Sequence, residues 1–431
     1  MMTRESLKLQ KRIIEKTPFF YGWVMVFMAA LTMFFTGPGQ TYSFSIFINH
    51  FIADFGWSRA QVNNYYAVAT LVSGSTMFLV GKLVDRHGAR KVTIITSILL
   101  TGSMFFLSFL TGNIIMLLIG FFLGRFSGQG VLALASGVIT PHWFVKKRGL
   151  AIMLAGLGGS IGSAFFPKLN LFLINAYGWR HAFQILGLGV LFICLPLCII
   201  FIVNRPEDVG RYPDDTKESE DDANDLAAIL DDEKTSLNQR EALRTGAFWI
   251  FFFAGAQLAM IGTGIWLNML SIFSISGLSD NFATTIMTSS SLIGLAASLI
   301  VGLFLDKIKK PHFLLAVMCF MQAASYIALG QLQAKAEAII YVVLYGSSMA
   351  VFMLVHKLVL PMFFGRRYLG GVSGGMTIAW VGGAALGPII FGNAYEIFNG
   401  YNEILLALAA VPMITGISLF FAKIPHKRRG I

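Results

Sequence analysis

GLAIMLAGLGGSIGSAFFP runs from Gly149 to Pro167, and GGVSGGMTIAWVGGAALGP runs from Gly370 to Pro388. The two stretches align at an offset of 221 residues. At the same offset, Gly81-Lys-Leu-Val-Asp85-Arg86 meets Gly302-Leu-Phe-Leu-Asp306-Lys307, and Pro141 and Pro361 match one residue short of it. Three matches in chain order point to a duplicated half rather than to the chance likeness of glycine-rich helices. A parallel repeat of apolar segments predicts two bundles related by a pseudo-two-fold axis, with a site between them near the bilayer midplane.

The apolar segments around these motifs set the number of spans. A helix needs about 20 mostly apolar residues to cross a bilayer. Such stretches cover roughly 19–48, 60–83, 91–111, 113–140, 149–175 and 180–203, then 246–275, 282–305, 312–332, 337–362, 369–397 and 401–423. The prediction is an all-α membrane protein with twelve transmembrane helices in two pseudo-symmetric six-helix bundles. Its parts are a tail at 1–18, a first bundle at 19–204, an acidic linker at 205–244, a second bundle at 245–424 and a tail at 425–431. Composition agrees: 56% of the 431 residues are apolar, 13% are charged and mean hydropathy is +0.70. A water-soluble fold lacks the interior to bury so much apolar side chain.

The net charge of +11 is unevenly placed. Residues 205–244 hold 13 of the 22 acids, a composition that predicts disorder over most of the linker and a short lateral helix near Leu237–Leu243. With both termini in the cytoplasm, the loops and tails on that side carry 27 of the 33 Lys and Arg residues, as the positive-inside rule requires. The basic residues lie in short clusters between apolar runs, which suits anionic lipid heads and not a nucleic-acid stripe. The polar, basic Met1–Lys16 lacks the pattern of a cleaved signal. Cys194 and Cys198, spaced i, i+4, have no nearby His or further Cys and read as apolar filler, as does Cys319. No metal site, no cofactor and no enzyme motif is predicted: HExxH, G-x-S-x-G and P-loop patterns are all missing from the sequence.

The loop Gly81-Lys-Leu-Val-Asp85-Arg86-His87-Gly88-Ala89-Arg90-Lys91 resembles the signature of the major facilitator superfamily. The resemblance implies a conformational latch built from Gly81, Asp85, Arg86, Gly88 and Arg90, with a looser copy at Asp306. Trp143-Phe144, Lys147-Arg148-Gly149, Gly178-Trp179-Arg180 and Arg205-Pro206-Glu207-Asp208 are similar to the bacterial monocarboxylate and oxalate/formate transporter-like branch, as are Tyr21-Gly22-Trp23 and Glu241-Ala-Leu-Arg244. That likeness implies a carrier of small organic anions. Carriers of lactate or oxalate commonly place a basic residue in span 8 or 11, and neither 284–305 nor 370–395 contains one here. Where span 7 often has a His followed by a Pro, this chain has Asn268 and Ser271.

Arg125 is the charged residue that stands deepest, about twelve residues into span 4. A centred arginine costs about 2.5–3.5 kcal/mol on insertion scales, so such residues face a protein interior. It lies in Gly124-Arg125-Phe-Ser-Gly128-Gln129-Gly130, similar to a superfamily motif linked to proton coupling. A purely structural clamp, tied to backbone carbonyls or to Gln40, is the competing reading. Gln40, Thr41 and Tyr42 follow Gly37-Pro38-Gly39, a sequence able to open the helix of span 1. The candidate substrate-binding set is Arg125, Gln129, Gln40, Tyr42, Asn268, Trp266 and His356. Each also has a bland role: interhelical hydrogen bonding for the polar residues, an interfacial belt position for Trp266, and a satisfied interior site for His356. Lys357 is expected to snorkel, and Lys168 to sit at the outer interface. No Asp or Glu occupies the centre of a span, which leaves a net-positive interior suited to an anion.

The function so predicted is secondary active transport of a small organic anion, a monocarboxylate or related carboxylate, by alternating access. The partners are a proton or a counter-anion and the lipid bilayer, in a monomer within the cell (plasma or inner) membrane, with no nucleic acid. Two other readings remain open: an exporter of drug-like or apolar compounds on the same fold, and a transporter-like sensor signalling through its linker.

Overall fold

A computed structural model describes residue 14 and residues 17–144, 147–212, 214, 236–304, 308, 310–365 and 368–425, with backbone alone at 78, 82, 85, 148, 369 and 370. Among these residues every regular element is a helix. That is what lipid demands, because a helix satisfies its own backbone groups where no water can.

The first half contains α1 (Gly22–Phe34), a 3-10 turn (Gly37–Gly39), α2 (Thr41–Phe55), α3 (Arg59–Ser75), α4 (Met77–His87) and α5 (Ala89–Ser108). Next come α6 (Ile114–Gly124), a π-helical segment (Arg125–Leu132) and α7 (Ala133–Trp143). Then α8 (Arg148–Gly189), a second π segment (Val190–Cys194) and α9 (Leu195–Phe201) close the half. The second half contains α10 (Gln239–Leu243), α11 (Gly246–Ile275), α12 (Asp280–Phe304), α13 (Pro311–Gly330), α14 (Lys335–Phe364), α15 (Leu369–Phe398) and α16 (Asn402–Phe420).

Ten helical stretches among the described residues are long and apolar enough to span a membrane, so the chain is a multi-pass membrane protein. The sequence predicts twelve, and the difference has two local causes. Expected spans 5 and 6 fall in one stretch, Gly149–Phe201, which turns at Gly178 with φ 79°, a conformation glycine adopts without strain. Expected span 2 is split at Thr76 into α3, of 17 residues, and α4, of 11, each too short to span alone.

The chain divides into two compact units. Unit 1 is Met1–Trp57 with Val68–Glu218, and unit 2 is Ser58–Ala67 with Ser219–Ile431. The boundary departs from a simple halving, because the start of α3 is counted with the second half. There Glu396 Oε1 accepts the Ala60 N–H at 3.2 Å, and Asn63 Nδ2 donates to Asn268 Oδ1 at 3.0 Å. A Cβ on Gly392 would stand 2.9 Å from the Asn63 Cβ, so the bare glycine permits the close approach of α15.

The end of the acidic linker is docked, and the short helix expected near Leu237–Leu243 is α10. Leu237 donates its backbone N–H to Phe364 O at 2.8 Å, and Leu237 and Ala242 are buried beside Phe248, Phe364 and Val372. Asn238 and Glu241 cap α10 reciprocally, at 2.9 and 2.8 Å. Most of the linker lies outside the described residues.

Candidate functional site

Two helix irregularities meet in unit 1. Span 1 is interrupted by the 3-10 turn Gly37–Gly39, after which Gln40 is extended (φ −89°, ψ 157°) and Thr41 restarts the helix. Span 4 widens into the π segment Arg125–Leu132. π turns insert one extra residue and recur at functional sites. Glycines make the meeting possible: a Cβ on Gly128 would lie 2.8 Å from the Gly39 Cα, and one on Gly39 would overlap the Gly124 carbonyl oxygen. Neither obstacle is a movable side chain.

This contact puts Arg125 against the restart of α2. Its Nη1 donates to Thr41 Oγ1 at 3.2 Å, and the residue is 3% exposed. Among the described residues Arg90 and Arg125 are the buried side chains with a formal charge, and no buried Asp or Glu accompanies them. A guanidinium presents its donors in a planar fork suited to a carboxylate. Gln40 Nε2 donates to Thr36 Oγ1 at 3.2 Å. Gln129, one turn along the π segment, has a buried Oε1 with no hydrogen-bond partner among the described residues. Tyr42 lies on α2 with its hydroxyl 3.4 Å from where a Cβ on Gly162 would stand. The structure therefore brings Arg125 and Thr41 together, with Gln40 and Tyr42 on either side of Thr41 in the chain and Gln129 near Arg125 in sequence.

The remaining candidates lie in unit 2 and separate from one another. Trp266 Nε1 donates to the Tyr345 hydroxyl at 3.0 Å. Asn268 is engaged on both ends: its Nδ2 donates to Gly264 O at 3.0 Å, and its Oδ1 receives Asn63 and stands 3.3 Å from the Tyr401 hydroxyl. At 1% exposure it behaves as a packing amide. His356 is 3% exposed, with Nε2 3.2 Å from Phe251 O and its ring enclosed by Phe251, Phe352 and Trp380. Lys357 and Lys168 are exposed, in keeping with their expected places toward the bilayer.

Of the latch residues, Gly88 and Arg90 have a defined role inside unit 1. Gly88 has φ 80°, and a Cβ there would stand 2.5 Å from the Asn204 side chain. Arg90 takes Asn204 Oδ1 on its backbone N–H at 2.9 Å and donates Nη2 to Ile199 O at 2.6 Å. These bonds brace span 3 against the end of span 6. Gly81 meets no neighbour that a Cβ would disturb, and Arg86 is exposed. The Asp85 side chain and Asp306 lie outside the described residues.

Unit 2 also holds polar residues that were not singled out from the sequence. Gln257 Nε2 of α11 donates to Gln322 Oε1 of α13 at 3.1 Å, and Tyr326 follows one turn later on α13. Tyr341 and Tyr345 of α14 stack at 5.1 Å, and the Tyr326 ring lies 6.2 Å from that of Tyr345. Gln257 Oε1, Gln322 Nε2 and the hydroxyls of Tyr326 and Tyr341 are buried without a hydrogen-bond partner among the described residues. Each such atom costs about 1–3 kcal/mol. The available clue was the i, i+4 spacing of Gln322 with Tyr326 and of Tyr341 with Tyr345, which puts each pair on one helix face.

The model of the Major Facilitator Superfamily matches residues 22–355. The chain belongs to this superfamily. It is a membrane transporter, not an enzyme. It is 22% identical over 415 residues to monocarboxylate transporter 2 of Rattus norvegicus, covering 93% of this chain and 82% of the rat protein. It is 24% identical over 293 residues to the MFS-type transporter YhjX of Escherichia coli, covering 67% of each chain. Among solved structures, a bacterial homolog of the human lysosomal transporter Spinster, in an inward-facing and unoccupied conformation, matches with a TM-score of 0.63. That match covers 94% of this chain and 96% of the other at 16% identity. The D-xylose-proton symporter matches with a TM-score of 0.67 over 95% of this chain and 99% of its own, again at 16% identity. These structural likenesses concern the fold.

Proposed function

We propose that this superfamily transporter carries a small organic anion, a monocarboxylate or related carboxylate, by alternating access. The carrying observation is Arg125: a guanidinium buried in a membrane span and held by Thr41 where two irregular helices meet. In a dry setting a charge-assisted, two-pronged bond to a carboxylate is about twice as strong as a neutral one. The likeness to monocarboxylate transporters supports the same substrate class. Coupling to a proton or exchange for another anion completes the cycle, and twelve spans with both termini in the cytoplasm of a monomer complete the topology. Gln129, Gln40 and Tyr42 supply hydrogen bonds around the anchor, and Trp266 serves the second unit. His356 is a candidate proton site, and Asp85 and Asp306 are candidate latch residues.

The test is uptake into proteoliposomes of labelled monocarboxylates and dicarboxylates, with and without an imposed pH gradient. Arg125→Gln is expected to reduce anion uptake by about 100-fold or more, and Arg125→Lys to fail to restore it, because a point charge cannot reproduce the fork. Normal anion uptake by a well-folded Arg125→Gln protein removes the anchor and shifts weight to export of drug-like or apolar compounds.

A further inference from the structure

Unit 1 contains a layer of helix interruptions. Span 1 breaks at Gly37–Gly39, and span 4 widens at Arg125–Leu132. Span 2 breaks at Thr76, where the Ser75 and Thr76 hydroxyls donate to Val72 O and Ser73 O at 2.9 and 2.7 Å. Span 6 has its own π segment, Val190–Cys194, followed by Pro196, which has no N–H to give. The four interruptions adjoin one another. The π segment of span 4 lies against Gly39 of span 1, and a Cβ on its Gly130 would stand 2.8 Å from the Met77 Cε of span 2. Gly189, just before the π segment of span 6, faces the ring of Phe35, just before the turn of span 1. In unit 2 the corresponding α11, α12, α14 and α16 run without a 3-10 or π segment.

The pieces of spans 1, 4 and 6 are joined separately on each side of this layer. Toward the linker, Ser136 Oγ of α7 donates to Ala29 O of α1 at 2.7 Å, the Tyr21 hydroxyl to Phe201 O at 2.8 Å, and Trp143 Nε1 to Val203 O at 3.3 Å. On the far side, Phe44 of α2 meets Phe121 of α6 at 5.2 Å, Phe47 stacks on Phe183 of span 6 at 3.9 Å, and Phe51 meets Trp179 at 5.2 Å. Each side is a packed block with one piece from each of the three spans. Between the blocks the three backbones are irregular, and mid-helix 3-10 and π stretches are where helices bend. We infer that unit 1 carries a hinge at the level of Arg125, about which its two blocks bend against each other, and that unit 2 has no such hinge. α5 crosses the layer unbroken and serves as the strut, and span 5 crosses it at Pro167, whose neighbour Phe166 packs on Gly37. Arg125 opens the π segment and Thr41 begins the far block, so bending alters their contact. On the anion reading above, a carboxylate held by Arg125 favours one bend over the other. The hinge itself does not depend on that reading.

Pairs of spin labels read the bend in the full chain in lipid nanodiscs. His142→Cys with Tyr177→Cys puts one label on α7 of the linker-side block and one at the far end of span 5, beside Trp179 of the far block, both at exposed positions. Met362→Cys with Phe398→Cys, their exposed repeat counterparts, does the same in unit 2. Cys194, Cys198 and Cys319 are buried, and the chain without added cysteines is the labelling blank. A bend of about 20° at mid-bilayer moves a helix end about 15 Å away by about 5 Å. The distance distribution of the unit 1 pair is expected to be wider than that of the unit 2 pair by at least about 3 Å. Pro196→Ala restores an N–H to span 6 and is expected to narrow the unit 1 distribution by about a third. Thermal unfolding in detergent checks that this variant is folded, and if it misfolds the comparison of the two pairs decides alone. Equal widths in the two units overturn the hinge, and so does a folded Pro196→Ala protein with an unchanged unit 1 width. The widths are read without any solute. Uptake of no carboxylate in the panel therefore overturns the anion reading and leaves the hinge standing.

Discussion

Spans 4 and 10 occupy corresponding places in the repeat and are built differently. At the offset of 221, Arg125 falls on Gly346. In span 4 the helix opens into a π segment and carries a buried guanidinium. In span 10, α14 runs from Lys335 to Phe364 without a π segment, and Gly346 serves a tight crossing with α12: a Cβ there would stand 2.5 Å from Ser290 O. Their partners differ in the same sense. Span 1 is broken at Gly37–Gly39, whereas α11 continues through Gly246–Ile275. The irregular pair holds the charge, and the regular pair holds neutral amides and phenols. A charge in the membrane needs polar partners close by, and a restarting helix with a threonine at its first turn supplies one. Neutral groups can be held by straight helices, whose backbones are already satisfied.

The strongest way to break this contrast is to move the charge. Gly346→Arg places a guanidinium where α12 and α14 touch through backbone, and it has no built recess. We expect little folded protein, measured by monodisperse yield after detergent extraction. The cost combines a buried unpaired charge, several kcal/mol, with a steric overlap that no side chain can relieve. A stable Gly346→Arg protein would mean that span 10 retains the recess of span 4.

A smaller effect is expected at the junction itself. Gly39→Ala directs a methyl group at the Gly124 carbonyl, so the 3-10 turn and the π segment must part. The expected loss of stability is about 1–3 kcal/mol, together with reduced anion uptake because Thr41 moves from Arg125. Thermal unfolding and uptake measured on one preparation check both. Unchanged uptake would show that the Thr41 contact does not set the position of Arg125.

The smallest effect sharpens the neutral side. Asn268→Ala leaves Asn63 and Tyr401 without their shared acceptor. Stability is expected to fall by about 1–3 kcal/mol, with the KM for the transported anion unchanged, because Asn268 is occupied with packing. A raised KM with normal stability would return Asn268 to the substrate site.

Much of the architecture was legible without coordinates. Segment lengths and the 221-residue repeat predict the helices, because lipid leaves a long apolar segment with one good conformation. Arg125 was legible for a related reason, since an arginine in an apolar run has few tolerable surroundings. The Gly37-Pro38-Gly39 break was visible as well, but the residue opposite it was not. The fates of Asn268 and Arg90 were hidden, because their partners are distant in sequence: Asn63 lies 205 residues away, and Ile199 lies 109.

The sequence by itself determined that this is a helical, duplicated membrane transporter with one cation deep in its fourth span. Those properties follow from local composition and periodicity, which act along the chain. Tertiary structure alone decided that Arg125 meets Thr41, that Arg90 braces span 3 against span 6, and that five glutamine and tyrosine residues from three helices form one patch. Each of these depends on helix rotation and crossing distance. Packing of side chains against bare glycines sets both, and no periodicity along a single helix encodes which face meets which neighbour.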